Sequence, residues 1–542
     1  MNTSQQFIAL KQQAFNFFNS GNLEQARIQC HNYCSSFPKD PEAWCLLSVI
    51  YGSQNLYTQS EQYARQAISI SPDYIQAHFN LGVALLNLEQ YEKAVIEFDH
   101  ILGKNNKHGM AYYLKGKCLT QQAGQMHKAQ TCFENALNIM TSPPRDLLLD
   151  LAQLYEHQGN NEKSINIIKN ILNKNPLDPQ AGVLMAAHER RENKLEEAES
   201  RLKSLLKSGL ESFPDIARIE NSLGHVLDRL QKYDEAYTAF KNSQDAIKRT
   251  LTENINTEFW YDRIKDNRRF ITLENVKHWQ NHYTDNNPSP IFLIGFPRSG
   301  TTLTEKIISS HPGANTSDEY PLIQDLMKKM YSFTNINKKY PESLNELTAG
   351  NIKVLRKEYW KIAKNKCNYK SNNSIFIDKL PLNTIELGFI YKIFPEAKIL
   401  LLIRDPRDVC LSCFMQLFKP NDAMNNFLDL ESTSRFYNET MNLLSHYRTV
   451  LNINIYSFHY ENIIADLEYE SRALFDYLEI KWNKDILKFY KKKSKTISTP
   501  SYQDIQKPLY SRAANRWKNY QQYLKPILKT LNPHIKELGY EI

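Results

Sequence analysis

Between residues 26 and 236 a small residue returns at nearly constant intervals, and this period constrains the fold more than any other feature of the chain. The residues are Ala26, Ser60, Ala94, Ala129, Ser164, Ala198 and Ala236, spaced by 34, 34, 35, 35, 34 and 38. Each closes a similar tetrapeptide: LEQA, YTQS, YEKA, MHKA, NEKS, LEEA, YDEA. An amphipathic helical stretch follows, as in AVIEFDHIL (94–102), and another precedes, as in AHFNLGVALLNL (77–88). A unit of this length cannot bury its apolar face alone, so neighbouring helix pairs must stack. A small residue at one fixed place lets the two helices of a pair approach; a bulky side chain would force them apart. The expectation is an all-α solenoid of about seven repeats over residues 1–250.

The pattern resembles the tetratricopeptide repeat, most closely in IQAHFNLGVALLNLEQYEKAVIEFDHIL (75–102). That resemblance implies a concave groove that binds a peptide or partner protein. A rigid scaffold with no ligand of its own is the other use of such an arm.

Past residue 250 the period stops. Residues 251–288 read as a connecting helix and a linker ending in DNNPSP, and the repeats are expected to be removable up to that point. From residue 289 short apolar runs alternate with helical stretches: IFLIG (291–295), SIFID (374–378), AKILLLI (397–403) and NINIYSF (452–458). This alternation predicts an α/β domain over 289–542 with a mostly parallel sheet, whose ligands bind beyond the carboxyl ends of the strands.

The distinctive residues stand there. GFPRSGTTL (295–303) follows the first run and is nearly G-x-x-x-x-G-K-[ST], the nucleotide phosphate loop, with Thr301 where the lysine belongs. The loop amides and the helix start form an anion nest, and Arg298 supplies charge from within. Loss of the lysine argues against a nucleoside triphosphate. RDPRDVCLSCF (404–414) follows the third run; Arg404 at the strand end and Ser412 on the next helix suit a second phosphate. Arg407, in the turn, is expected to face solvent. Cys410 and Cys413 form a lone CxxC and read as packing residues, as do Cys30 and Cys34.

The two motifs together resemble the sulfotransferases, most closely the tyrosylprotein-sulfotransferase branch and bacterial proteins that join tetratricopeptide repeats to this domain. The resemblance covers residues 289–542. It implies transfer of a sulfuryl group from 3′-phosphoadenosine 5′-phosphosulfate (PAPS) to an acceptor hydroxyl, protein tyrosine among the candidates, with no metal. The loop Arg298, Ser299, Gly300, Thr301 and Thr302 would hold the 5′-phosphosulfate, and Arg404 with Ser412 the 3′-phosphate. HPGANTSDEYPLI (311–323) offers Glu319 as general base, with Asp318 as second choice and His311 as a turn residue. Lys379 in IDKLPLN would reach the leaving phosphate. Tyr460 in FHYENI would lie near the nucleotide, and Ser501 and Arg516 belong to the segment (499–520) that covers it. Secretory-pathway members carry cysteines just before the base and the lysine; TSDE and FIDK have none, which fits a reducing compartment.

Composition adds exclusions. The balance of 67 basic and 59 acidic residues, formally +8, is mild for this length and reads as a slightly basic soluble protein, or as Lys and Arg lining an anion-binding cleft; no nucleic-acid partner is expected. The start, MNTSQQFIALKQQAF, lacks the features of a signal peptide, and the sequence has no membrane-length apolar run; a cytoplasmic protein is expected. The alternative is a repeat scaffold whose second domain is inactive or phosphotransferase-like.

Overall fold

The computed structural model describes residues 3–122, 125–251, 255–279, 288–334, 336–367, 369, 374–491 and 514–542. Among these, fourteen helices lie between residues 3 and 248, and neighbours within each unit pair as hairpins. All seven small residues of the period lie in every second helix of this series and are buried, six at 0% exposure and Ser60 at 4%. In the fourth hairpin a Cβ on Gly116 would come within 2.4 Å of the Phe133 ring, so one helix needs glycine where its mate sends in phenylalanine. Local signals set the helix starts. Asp40 accepts the Glu42 N–H and Asp178 the Ala181 N–H, with Pro41 and Pro179 at the first helical position.

The chain divides into two compact units, residues 1–167 and 168–542. The division falls inside the helix Asn161–Lys174, so the last repeat hairpins belong to the second unit. There the helices Phe213–Arg229 and Tyr233–Lys248 share one apolar core with the α/β domain: Leu223 and Phe240 join Phe292, Phe414 and Leu524. Asn221 Nδ2 donates to the Met415 carbonyl at 2.9 Å, and Gln244 Nε2 to the carbonyls of Phe414 at 2.6 Å and Gln416 at 3.1 Å. The Tyr237 ring stacks on Tyr523 with centroids 3.7 Å apart. A buried carbonyl left without a donor costs about 1–3 kcal/mol, so these amides fix the docking.

The sheet has five parallel strands in the order β2-β3-β1-β4-β5: β1 (Ile291–Ile294), β2 (Ala314–Thr316), β3 (Ile375–Lys379), β4 (Lys398–Ile403) and β5 (Asn454–His459). Four coincide with the apolar runs. The fifth, β2, is a three-residue edge strand too short and too polar to read from sequence. Both faces are covered. Phe292, Ile294, Ile399 and Leu401 enter one core, while Ile291, Leu293, Leu400 and Leu402 enter the other, as the two-residue period of a strand requires. Among the described residues no helix is long and apolar enough to cross a membrane.

Candidate active site

Because all five strands are parallel, their carboxyl ends meet at one edge of the sheet. Each delivers a distinctive group there. The loop 295–300 follows β1, Ser317–Glu319 follows β2, Lys379 ends β3, Arg404 follows β4 and Tyr460 follows β5.

The loop is held by its own backbone and its neighbours. Ser299 is buried; its hydroxyl donates to the Phe296 carbonyl at 2.7 Å and accepts the Phe296 N–H at 3.3 Å. Its side chain thus closes the turn, and its backbone is what it can offer a ligand. Gly300 has φ +104°, a left-handed value that favours glycine, and a Cβ there would meet the Tyr460 ring at 2.4 Å. Thr301 and Thr302 then open the helix Thr301–Ser309, Thr301 buried and Thr302 half-buried. Arg298, also left-handed at φ +70°, sends Nε to Ser412 Oγ at 3.1 Å. Arg404 donates to the Arg298 carbonyl at 2.8 Å and lies over the Tyr460 ring at 4.8 Å. Arg298, Arg404, Ser412 and Tyr460, drawn from three strand ends and a helix, therefore form one cluster.

On the other side of β1, Lys379 is fully buried and bridges two carboxylates: Glu319 Oε1 at 2.5 Å and Glu305 Oε2 at 2.8 Å. Burial disfavours the ammonium, but Glu305 and then Glu319 outweigh it and raise the Lys379 pKa. Burial likewise raises the pKa of Glu305 against the pull of Lys379. Ser317 Oγ accepts the Lys379 N–H at 2.8 Å, locking β3 to the turn after β2. In that turn Asp318 (φ +54°) and Glu319 (φ +64°) are both left-handed, which costs about 1–3 kcal/mol for each non-glycine residue. From this turn the Glu319 carboxylate meets Lys379; the following helix begins only at Leu322. His311 accepts the Gly313 N–H through Nδ1 at 3.0 Å, as expected of a turn residue.

Arg407 departs from expectation. It is 4% exposed, forks onto Asp405 at 2.7 and 3.0 Å, and lies 3.7 Å from the Trp517 ring centroid. The aspartate two residues earlier and a tryptophan from the far end of the chain hold it out of solvent. Asp408 beside it accepts the N–H groups of Asn515 and Trp517, both at 2.7 Å. Burial pushes its pKa up to about 6, against Arg404. Arg516 pairs with Asp228 of the helix Phe213–Arg229 at 2.9 Å, and the Tyr520 hydroxyl donates to the same carboxylate at 2.6 Å. On that repeat helix His225 has its pKa lowered by burial, and by Arg190, Arg516 and Arg298. Ser501 lies outside the described residues. Cys410 and Cys413 are buried, and Cys413 donates to the Pro297 carbonyl behind the loop.

Sequence reasoning passed over Glu305. Its signal is a carboxylate on the buried stripe of a helix, beside Thr301, Thr304 and Ile308. Among the described residues no group of three or more His, Cys, Asp or Glu could hold a metal.

Comparison with known proteins finds matches for both parts of the chain. Residues 290–484 match the sulfotransferase family, and residues 41–74 and 63–96 match tetratricopeptide repeats. An uncharacterized protein of Aquifex aeolicus is 28% identical over 58% of this chain and 41% of its own length. Protein-tyrosine sulfotransferase A of Caenorhabditis elegans is 22% identical over 47% of this chain and 68% of its own. Protein-tyrosine sulfotransferase 1 of Danio rerio is 27% identical over 36% of this chain and 55% of its own. The match thus spans about two fifths to two thirds of these relatives' lengths.

Proposed function

We propose that this chain, which joins a sulfotransferase-family domain to tetratricopeptide repeats, moves a sulfuryl group from PAPS to an acceptor hydroxyl. The observation that carries the reading is the Arg298–Ser412 bond, which sets the phosphate loop directly against the Arg404 strand end. Two anion subsites in contact suit a donor with phosphate at both 3′ and 5′ positions. The loop fits such a donor: Thr301 replaces the lysine of triphosphate loops, and Gly300 keeps a side chain out of the nest. Arg298, the amides of Ser299 and Gly300, Thr301 and Thr302 would hold the phosphosulfate end. Arg404 and Ser412 would hold the 3′-phosphate, with Tyr460 beside them. Arg516 and Ser501 would cover the nucleotide, Arg516 steadied by Asp228.

The chemistry needs positioning and charge stabilisation. Glu319 takes the proton of the acceptor hydroxyl as its oxygen bonds to sulfur. The bond from sulfur to the bisphosphate oxygen breaks, and Lys379 and Arg298 meet the charge left there. The named relatives favour protein tyrosine as acceptor, and the repeats would hold the peptide in their groove. Eight cysteines, all free and seven of them buried, support a reducing, cytoplasmic setting.

The test is transfer of labelled sulfate from PAPS to tyrosine peptides and to a cell lysate, without added metal. Label in a peptide tyrosine supports the full reading. Label in another hydroxyl compound moves the acceptor. No label in any acceptor, with no binding of adenosine 3′,5′-bisphosphate, removes the reading.

A further inference from the structure

Glu305 rides on the helix that the phosphate loop begins, five residues past Gly300. Its two oxygens have separate partners. Oε2 accepts from Lys379 Nζ at 2.8 Å, and Oε1 accepts the Asp318 N–H at 3.1 Å. It therefore ties the lysine, the strained turn before Glu319 and the loop helix to one side chain.

Resting on the sulfuryl-transfer reading above, we propose that Glu305 is a positioning residue of that reaction, holding the Lys379 ammonium and the Asp318 amide in place while Glu319 leaves Lys379 to take the acceptor's proton. Lys379 bridges two carboxylates of unequal access: the Glu319 side chain is 29% exposed, that of Glu305 6%. The exposed one can reach an acceptor; the buried one cannot. Once Glu319 carries the proton it is neutral and no longer holds the ammonium by charge. Glu305 then still accepts from Nζ at 2.8 Å and keeps Lys379 in register with the loop. Glu305 exchanges no proton and touches no substrate. Its charged and titratable surroundings are Lys379 from β3, Asp318 and Glu319 from the turn after β2, and at longer range Asp378 and Cys367.

The test uses the full chain with Glu305→Gln, which keeps the shape and an acceptor for the Asp318 N–H but removes the charge. Turnover of labelled PAPS is measured from pH 6 to 10, with calorimetry of adenosine 3′,5′-bisphosphate alongside. The expected result is a fall in kcat of about 10²-fold, the scale of a misplaced catalytic group. Bisphosphate affinity should fall by less, within about ten-fold, since Arg298, Arg404 and Ser412 are untouched and only Lys379 is displaced. The rate should also fall away at lower pH on the alkaline side, because Lys379 loses the first support of its raised pKa. Glu305→Asp retains the charge and should return the alkaline limb to the wild-type position even where kcat stays low; it carries the test if Glu305→Gln does not fold. Wild-type turnover in Glu305→Gln, or a loss equal at every pH, overturns the inference. A wild-type chain that transfers no sulfate overturns the reading beneath it instead.

Discussion

Arg298 and Ser412 are 114 residues apart in sequence and 3.1 Å apart in space. The bond joins the loop after β1 to the helix Pro406–Phe414 after β4, and Arg404 closes the arrangement by donating to the Arg298 carbonyl. Two motifs that look independent in sequence are one structure.

Arg404→Ala and Ser412→Ala should therefore each weaken binding of adenosine 3′,5′-bisphosphate. Loss of a charged hydrogen bond is worth about 1.5–3 kcal/mol, and Ser412→Ala also removes the hydroxyl that accepts from Arg298 Nε. Calorimetry should show both losses with the melting temperature little changed for Ser412→Ala. Unchanged affinity in both variants would remove the second-phosphate assignment.

Gly300→Ala should be severe for so small a change. It puts a Cβ at φ +104° and 2.4 Å from the Tyr460 ring. The backbone strain alone is about 1–3 kcal/mol. Bisphosphate binding should fall with stability, and Gly300→Ala should cost less stability in a Tyr460→Ala background than in wild type, because the clash is gone. An equal cost in the two backgrounds would mean that backbone strain dominates.

Much of this was open to sequence reasoning. The small residues repeat because a close helix pair needs them, and that need recurs locally in every unit. The strands and the loop are likewise local patterns. What escaped were partners far apart in the chain. Glu305 and Lys379 meet only when β3 lies beside β1, and Arg516 finds Asp228 across 288 residues. Arg407 reads as a turn residue open to solvent until Trp517 is laid over it. A linker signal at DNNPSP marks a change of composition, whereas the core runs on from the last repeat helices into the α/β domain.

That shared core sets where the chain can be cut. A fragment of residues 168–542 should fold cooperatively and bind the bisphosphate. A fragment starting at 289 uncovers Tyr523, Phe414 and the carbonyls that Asn221 and Gln244 satisfy, and should be insoluble or melt far lower. Calorimetric melting of the two fragments checks this; a stable, binding 289–542 fragment would show that the repeat helices add nothing the α/β domain needs.

Asp378 supplies a pH signature. It is buried and accepts the Tyr359 hydroxyl at 2.9 Å, and burial raises its pKa to about 7. A carboxyl raised in the folded state holds its proton there longer than in the unfolded chain. Its contribution is thus intact below about pH 4 and is lost as pH rises to about 7. Asp378→Asn keeps an acceptor for Tyr359 and does not titrate. Its melting temperature should gain on wild type from pH 5 to pH 8; a difference that is constant or of opposite sign would place the ionised form in the fold.

Glu319→Gln tests the central claim most directly, in labelled-sulfate transfer from PAPS measured beside wild type. Wild type should transfer, and the variant should lose roughly 10²–10⁴ in turnover, the usual share of a positioned general base, while bisphosphate affinity stays the same. The account is contradicted if wild type transfers nothing, or if Glu319→Gln turns over normally while Asp318→Asn abolishes transfer.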